Sequence, residues 1–199
     1  MDVRITDSHQ DLLEADVVFL PGVGAFGDAM AALRRLDLVA PLREVAASGK
    51  LVIGICLGMQ MLMTESQEFG SHEGLGLIDG EVVRLPEQLK AQQRLKVPLI
   101  GWNRIRPAPG RTVDDWTGTP LEGIPDGTFL YFNHSFHVAP EDTGVVLSTT
   151  TYGDVEFCSG LRSDNVLGFQ FHPERSGPDG LQIYRNIAKI ASARYALNG

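Results

Sequence analysis

The sequence predicts an α/β fold built on a parallel sheet, and three observations carry the prediction. In the first third, the apolar runs Val17-Val18-Phe19 and Leu51-Val52-Ile53 alternate with helical patterning over Asp28 to Leu36 and Pro41 to Ser48. Each run leads into a glycine-bearing turn, Leu20 to Gly27 and Gly54 to Gly58, as expected where loops gather at the carboxyl ends of parallel strands. Far downstream, Val166-Leu167-Gly168-Phe169-Gln170-Phe171 reads as another buried strand and ends on the polar His172-Pro173-Glu174.

The remaining elements follow in order. Met59, Leu62 and Met63 fall at i, i+3, i+4 and predict a helix behind Gly58. The helix over Pro41 to Ser48 has proline at its start and Gly49 at its end. Between Glu65 and Pro125 glycine and proline punctuate shorter strands such as Glu81 to Leu85, and Arg106 to Pro125 reads as the longest loop. Thr128 to Asn133 and Val145 to Thr149 read as further strands, antiparallel additions to the sheet. Leu181, Tyr184, Ile187, Ala188 and Ala191 form the apolar stripe of a C-terminal helix packed on the core.

Bulk properties narrow the function. With 199 residues and 43% hydrophobic content, residues 1–199 suffice for one globular domain. The net charge of −8 argues against a nucleic-acid surface. No apolar run is long enough for a membrane helix, and Met1 to Asp16 lacks the basic and apolar regions of a signal peptide. Two cysteines, Cys56 and Cys158, could form one disulfide, but Cys56 has a better assignment as a thiol, which points to a reducing cytoplasm. Cys158 has no motif around it and reads as structural. The five histidines show no metal-ligand spacing, so no metal and no cofactor is expected.

Cys56 is the most informative residue. It sits between a strand and a helix in Gly54-Ile55-Cys56-Leu57-Gly58, the pattern of a nucleophile elbow with sulfur in place of a hydroxyl. The glycines permit a tight turn and close approach of a substrate, and the helix N-terminus behind the sulfur is expected to favour the thiolate. A lone cysteine in an apolar stretch is ordinarily a small buried hydrophobe; the flanking glycines turn the balance toward a nucleophile. Such a nucleophile needs a base, and the base needs a group that fixes its tautomer. His172 and Glu174 suit those roles, with Pro173 stiffening the turn between them. Alone, His-Pro-Glu could equally be a histidine ending a strand beside an exposed carboxylate; with the elbow, it completes a candidate Cys56, His172, Glu174 triad.

The turn Leu20-Pro21-Gly22-Val23-Gly24-Ala25-Phe26-Gly27 frees backbone N–H groups to face an anion. It lacks the spacing and lysine of a phosphate loop and fails the dinucleotide fingerprint. An oxyanion hole fits better, with one donor from Gly22, Val23 or Gly24 and another from the Leu57 N–H. A plain tight turn is the alternative.

These blocks together resemble the class I (triad) glutamine amidotransferases. Pro21-Gly22-Val23-Gly24-Ala25-Phe26-Gly27-Asp28-Ala29-Met30, Ile100-Gly101-Trp102-Asn103, His134-Ser135-Phe136 and Gly168 to Ser176 are similar, in order, to segments of the glutaminase subunits of imidazole glycerol phosphate synthases. The resemblance implies a flavodoxin-like, mostly parallel sheet with helices on both faces. It implies hydrolysis of glutamine to glutamate and ammonia, and delivery of the ammonia to a (β/α)₈-barrel cyclase in a heterodimer serving histidine biosynthesis. It assigns glutamine contacts to Gly24, Gln60, His134, Ser135 and Phe136, and partner contacts to Trp102, Phe136 and Arg175. Phe136 stands where the family often has tyrosine, and Arg175 where it usually has lysine. The family normally opens with a further strand and helix; here Met1 to Ile5 aligns with its second strand, so the first βα unit is expected to be missing. Glutaminases of pyridoxal phosphate, anthranilate or guanylate synthesis are alternatives against which the Pro-Gly-Val-Gly-Ala-Phe-Gly and Gly-Trp-Asn segments argue. The intact Cys56, His172 and Glu174 argue against a non-catalytic binding subunit. A thiol hydrolase of the same fold acting on peptides is the remaining alternative.

Overall fold

The computed structural model describes residues 3–87 and 94–198, with side chains through residue 194. The segment expected to align with a family strand, Met1 to Ile5, is not one where it is described: residues 3–8 have no regular structure, and Val3 and Ile5 are exposed. An extended segment holds its place only by pairing with a neighbour, and this one pairs with none of the described strands. The first helix, α1 (His9–Glu14), is capped by the Ser8 side chain, which accepts from the Asp11 N–H.

The first β1 (Val17–Gly22), α2 (Phe26–Arg35), α3 (Val39–Ala47) and β2 (Leu51–Cys56) follow the predicted alternation. Next come α4 (Leu57–Met61), β3 (Met63–Ser66), β4 (His72–Glu73), β5 (Ile78–Arg84), β6 (Leu99–Arg104) and β7 (Arg106–Pro107). The chain closes with β8 (Phe129–His134), β9 (Phe136–Pro140), β10 (Val146–Tyr152), β11 (Val155–Ser163), β12 (Val166–Phe169) and α5 (Gly177–Asn198). The helix predicted behind Gly58 is much shorter than its spacing suggested. Met63 already opens β3, because Leu75, Leu77 and Ile78 donate backbone hydrogen bonds to Met61 and Leu62 and draw the chain into a second sheet.

The main sheet has the order β1-β2-β12-β11-β10-β7. β1, β2 and β12 are parallel, and the strands beyond β12 are antiparallel additions. A second sheet runs β4-β3-β5-β9, and among the described residues β6 and β8 form a two-stranded sheet. The continuous apolar runs of β2 and β12 are explained by burial on both faces. On one face Val52 and Val166 pack with Phe26, Met30, Leu42 and Val45 of α2 and α3. On the other, Leu51, Ile53, Ile55 and Leu167 pack with Ile183 and Ile187 of α5. The α5 stripe is rotated from the predicted one: Leu181 is exposed and Ile183 is buried in its stead. In the stretch Arg106 to Pro125, Trp116 is anchored by its indole N–H donating to the Leu147 carbonyl at 2.8 Å, so much of this loop is packed.

Candidate active site

Register brings the three predicted segments together. Gly22 pairs with Cys56 at the carboxyl ends of β1 and β2, and Phe169 pairs with Ile55, so the turn after β12 leaves the sheet beside the elbow. Cys56 has φ 55° and ψ −111°, a conformation that a side chain rarely adopts and that costs on the order of 1–3 kcal/mol. Packing enforces it. A Cβ on Gly58 would lie 1.6 Å from the Leu20 carbonyl oxygen, and one on Gly54 would lie 2.6 Å from the Gly58 backbone. The elbow glycines thus serve backbone-on-backbone contact between β1, β2 and α4.

His172 is gripped from several directions. Its N–H donates to the Tyr131 carbonyl at 2.8 Å, and its own carbonyl accepts from the Ser176 hydroxyl at 2.6 Å. That hydroxyl in turn accepts from the Tyr131 N–H, tying the turn to β8. The imidazole Nδ1 donates to Glu174 Oε1 at 2.7 Å, which leaves the lone pair on Nε2. Nε2 is buried and has no hydrogen-bond partner among the described residues.

The Cys56 thiol departs from expectation. It is only 5% exposed, and burial pushes its pKa up to about 11, with the Glu174 charge adding to the rise. The Leu57 N–H and the Gln170 side chain pull the other way without winning. A five-residue helix offers too little dipole to offset desolvation. The resting sulfur is therefore a thiol, and it donates to the Asn133 carbonyl at 3.7 Å. Among the described residues no hydrogen bond joins this sulfur to the His172 ring, so the predicted Cys56–His172 pair is not hydrogen-bonded in this structure.

The predicted oxyanion residues lie at the end of β1. Val23 is 79% exposed, Gly24 has φ 102°, and among the described residues neither N–H is engaged with a protein acceptor. The following helix α2 has no side-chain cap of its own. Glu68, buried and forty-two residues away, accepts from the Phe26 N–H at 2.6 Å and fixes the far end of the glycine turn. No motif marked Glu68 in the sequence.

The predicted glutamine contacts divide. Gln60 is buried and donates to the Phe136 carbonyl at 2.8 Å and to Gln170 Oε1 at 3.2 Å. Ser135 lies half-buried between β8 and β9, and its carbonyl accepts from the Leu85 N–H. His134 is buried against Phe132 and Phe157, and burial holds its pKa down at about 3. It is neutral, with Nδ1 donating to the Phe136 carbonyl at 2.8 Å. Phe136 contributes that carbonyl, while its side chain is only 9% exposed, packed in the core cluster with Val82 and Val138 and met edge-on from outside by the exposed Phe69. The expectation that Phe136 is a partner contact is therefore corrected: its strand turns the ring inward.

Trp102 and Arg175 are exposed. Ile100, Trp102 and Phe129 project from the outer face of β6 and β8, alternating with buried Leu99, Leu130 and Phe132. Trp102 meets Tyr131 edge-on, and the Arg175 guanidinium lies over the Tyr131 ring at 4.4 Å. Tyr131 packs in turn against the His172 ring. Gln170 and Asn133, both on the sulfur, escaped sequence reasoning; the only signal was an amide at position 170 inside an apolar run.

A cysteine on a strand-to-helix elbow, a His–Glu pair in the turn beyond the neighbouring strand and a turn whose amides are unengaged among the described residues make up the geometry of a thiol-dependent acyl-transfer site. The family model for class-I glutamine amidotransferases matches residues 2–190. The chain is 44% identical over 193 residues to the imidazole glycerol phosphate synthase subunit HisH of Aquifex aeolicus, covering 96% of this chain and 85% of the relative. It is 45% identical over 191 residues to the HisH subunit of Syntrophotalea carbinolica, covering 94% of this chain and 87% of the relative. Among solved structures, a glutamine amidotransferase aligns with a TM-score of 0.65 at 18% identity, covering 96% of this chain and 87% of that one. A GMP synthase subunit from Thermoplasma acidophilum aligns with a TM-score of 0.62 at 17% identity, covering 96% and 79%; these two bear on the fold alone. The chain belongs to the class-I glutamine amidotransferases and, within them, to the HisH subunits of imidazole glycerol phosphate synthase.

Proposed function

We propose that this chain is the glutaminase subunit of an imidazole glycerol phosphate synthase, hydrolysing L-glutamine and passing the ammonia to a cyclase subunit in histidine biosynthesis. The observation that carries the proposal is the pairing of the strained Cys56 elbow with the His172–Glu174 couple at the ends of adjacent parallel strands.

The chemistry begins with transfer of the Cys56 proton to Nε2 of His172, and Glu174 stabilises the imidazolium through Nδ1. Sulfur attacks the side-chain carboxamide carbon. The resulting oxyanion is received by amides of the Gly22, Val23, Gly24 turn and of Leu57. His172 hands its proton to the leaving nitrogen, ammonia departs, and a thioester remains. Water, deprotonated by His172, then cleaves the thioester and releases glutamate. By the family resemblance Gly24, Gln60, Ser135 and the Phe136 backbone would hold the glutamine, with His134, a neutral donor to the Phe136 carbonyl, beside them.

Ammonia free in neutral water is protonated and lost as a nucleophile, so a glutaminase of this kind gains from a docked acceptor. The exposed face of Ile100, Trp102 and Phe129, with Arg175 over Tyr131, suits a partner: it is apolar, rimmed by cations, and backs onto the His172 turn. We assign the cyclase, a (β/α)₈ barrel, to that face, in a cytoplasmic heterodimer. Among the described residues no helix is long and apolar enough to cross a membrane. The deciding experiment measures glutamate release by the purified chain alone and with the cyclase and its ligand. Stimulation by the loaded cyclase is expected; equal turnover with and without it would overturn the coupling, and no turnover in either case would overturn the glutaminase assignment.

A further inference from the structure

One buried carbonyl organises a chain of amides that ends on the nucleophile. The Phe136 carbonyl can only accept, and it receives Gln60 Nε2 at 2.8 Å and His134 Nδ1 at 2.8 Å. That fixes the Gln60 amide, since a flipped one would set oxygen against oxygen. The second N–H of Gln60 then reaches Gln170 Oε1 at 3.2 Å, which fixes the Gln170 amide in turn. Its Nε2 is left pointing at Cys56 Sγ, 3.7 Å away. Gln170 is fully buried, so no water competes for this donor.

We propose that Gln170 is a catalytic residue that donates a hydrogen bond to the Cys56 sulfur and stabilises the thiolate as its proton leaves, with Gln60 and the Phe136 carbonyl aligning the donor. The proposal rests on Cys56 being the nucleophile. Gln60 thereby has two duties: its Nε2 faces inward along the chain, and its Oε1, which accepts no hydrogen bond among the described residues, is open to a donor on the substrate. Occupation of the Phe136 end of the chain and the ionisation of sulfur are linked through two side-chain amides. The other groups facing the sulfur act differently. Glu174 disfavours its negative charge and Leu57 gives a backbone donor, while His172, held by Glu174, is the base of the proposed mechanism. Loss of Gln170 therefore leaves the thiolate one donor short beside an opposing carboxylate.

The test reads ionisation of Cys56 in the full-length chain without glutamine, by the pH dependence of its alkylation with iodoacetamide, followed on the Cys56 peptide by mass spectrometry, and by ultraviolet thiolate absorbance with Cys56→Ala subtracted. Gln170→Met keeps the length of the side chain and removes the donor. Its thiolate midpoint should rise by about one pH unit, and alkylation near pH 8 should slow roughly tenfold. Gln60→Met keeps Gln170 but frees its amide to turn, and a smaller rise in the same direction is expected. A Gln170→Met midpoint equal to that of the unmodified chain overturns the proposal. Should Gln170→Met fail to fold, Gln60→Met decides, and an unmoved midpoint there overturns it. A glutaminase assay that fails in the unmodified chain leaves this ionisation test standing, so the two readings fail separately.

Discussion

Cys56 and Cys158 are both buried free thiols whose pKa values burial pushes up, to about 11 and about 12. They differ in everything else. Cys158 sits within β11, opposite Thr149 of β10, and donates to the Gly160 carbonyl at 3.4 Å. Cys56 ends its strand in a strained turn and receives the Gln170 amide, and the neighbouring parallel strand leads to a histidine whose Nε2 has no hydrogen-bond partner among the described residues. Burial alone makes a thiol inert. A nucleophile needs burial to be offset by donors that favour the anion and by a base that can take the proton, and strand ends are where a sheet can supply both.

The strongest challenge to this contrast is substitution of each cysteine in turn. Cys56→Ala should abolish glutamate release, a loss of at least ~10⁴-fold by removal of the covalent route, with far-ultraviolet circular dichroism unchanged. Cys158→Ala should leave turnover within about twofold and cost roughly 1–2 kcal/mol in denaturant unfolding. Activity in the first variant, or its loss in the folded second, would exchange their roles.

The base supplies the next largest effect. His172→Asn should lower kcat by roughly 10²–10⁴-fold, the range of a positioned acid–base group. Glu174→Gln keeps a hydrogen bond to Nδ1 but withdraws the charge that stabilises imidazolium, so a smaller loss in kcat with little change in KM is expected. Steady-state kinetics on both variants would separate a proton-transfer role from one in holding the turn. Should Glu174→Gln prove more damaging than His172→Asn, the carboxylate would have a function beyond orienting the ring.

Cys56 also differs from Cys158 in what lies beyond it. The strand whose Asn133 carbonyl touches its sulfur carries Tyr131, and Trp102 and Arg175 rest on that ring at the surface. Trp102→Ala should weaken cyclase binding by about 2 kcal/mol, roughly thirtyfold in Kd by calorimetry. The turnover of the isolated chain should be nearly unaffected. Unaltered affinity would move the docking face elsewhere.

The central architecture was legible because two-sided burial writes unbroken apolar runs in β2 and β12; the partly buried edge strand β1 was readable from Val17-Val18-Phe19, and the elbow from its glycines. What escaped depends on contacts distant in sequence. The Met59, Leu62, Met63 spacing suited a helix, but a second sheet claimed Met63. Leu181 and Ile183 fit neighbouring stripes of one helix, and only docking on the sheet chose between them. Phe136 reads as a surface aromatic until β9 is paired to β5, which turns its ring inward. Gln170 showed only as an amide in an apolar run and Glu68 carries no local signal, because each acts through a partner more than forty residues away. The predicted thiolate failed for an energetic reason: the elbow pattern reports geometry, whereas ionisation depends on how much water the fold leaves around the sulfur.

Alkaline titration provides the finest test of the two thiols. Each has its folded pKa raised above the ordinary 9.0, so the folded state keeps a proton that the unfolded chain gives up. Stability is then unaffected by either thiol below about pH 9 and falls above it, until the folded groups themselves ionise near 11 and 12. Each thiol contributes a slope of about 1.4 kcal/mol per pH unit within its window. Denaturant unfolding between pH 8 and pH 10.5 should show this decline in the unmodified chain, less in either single alanine variant and least in the double variant. Tyr184, whose pKa burial raises to about 12, adds a slope only above the ordinary tyrosine value of 10.0 and is common to all four proteins. If Cys158→Ala flattens the curve and Cys56→Ala does not, then Cys56 is already ionised in the folded chain. In that event its donors outweigh burial, and the base is needed for the leaving nitrogen more than for the sulfur.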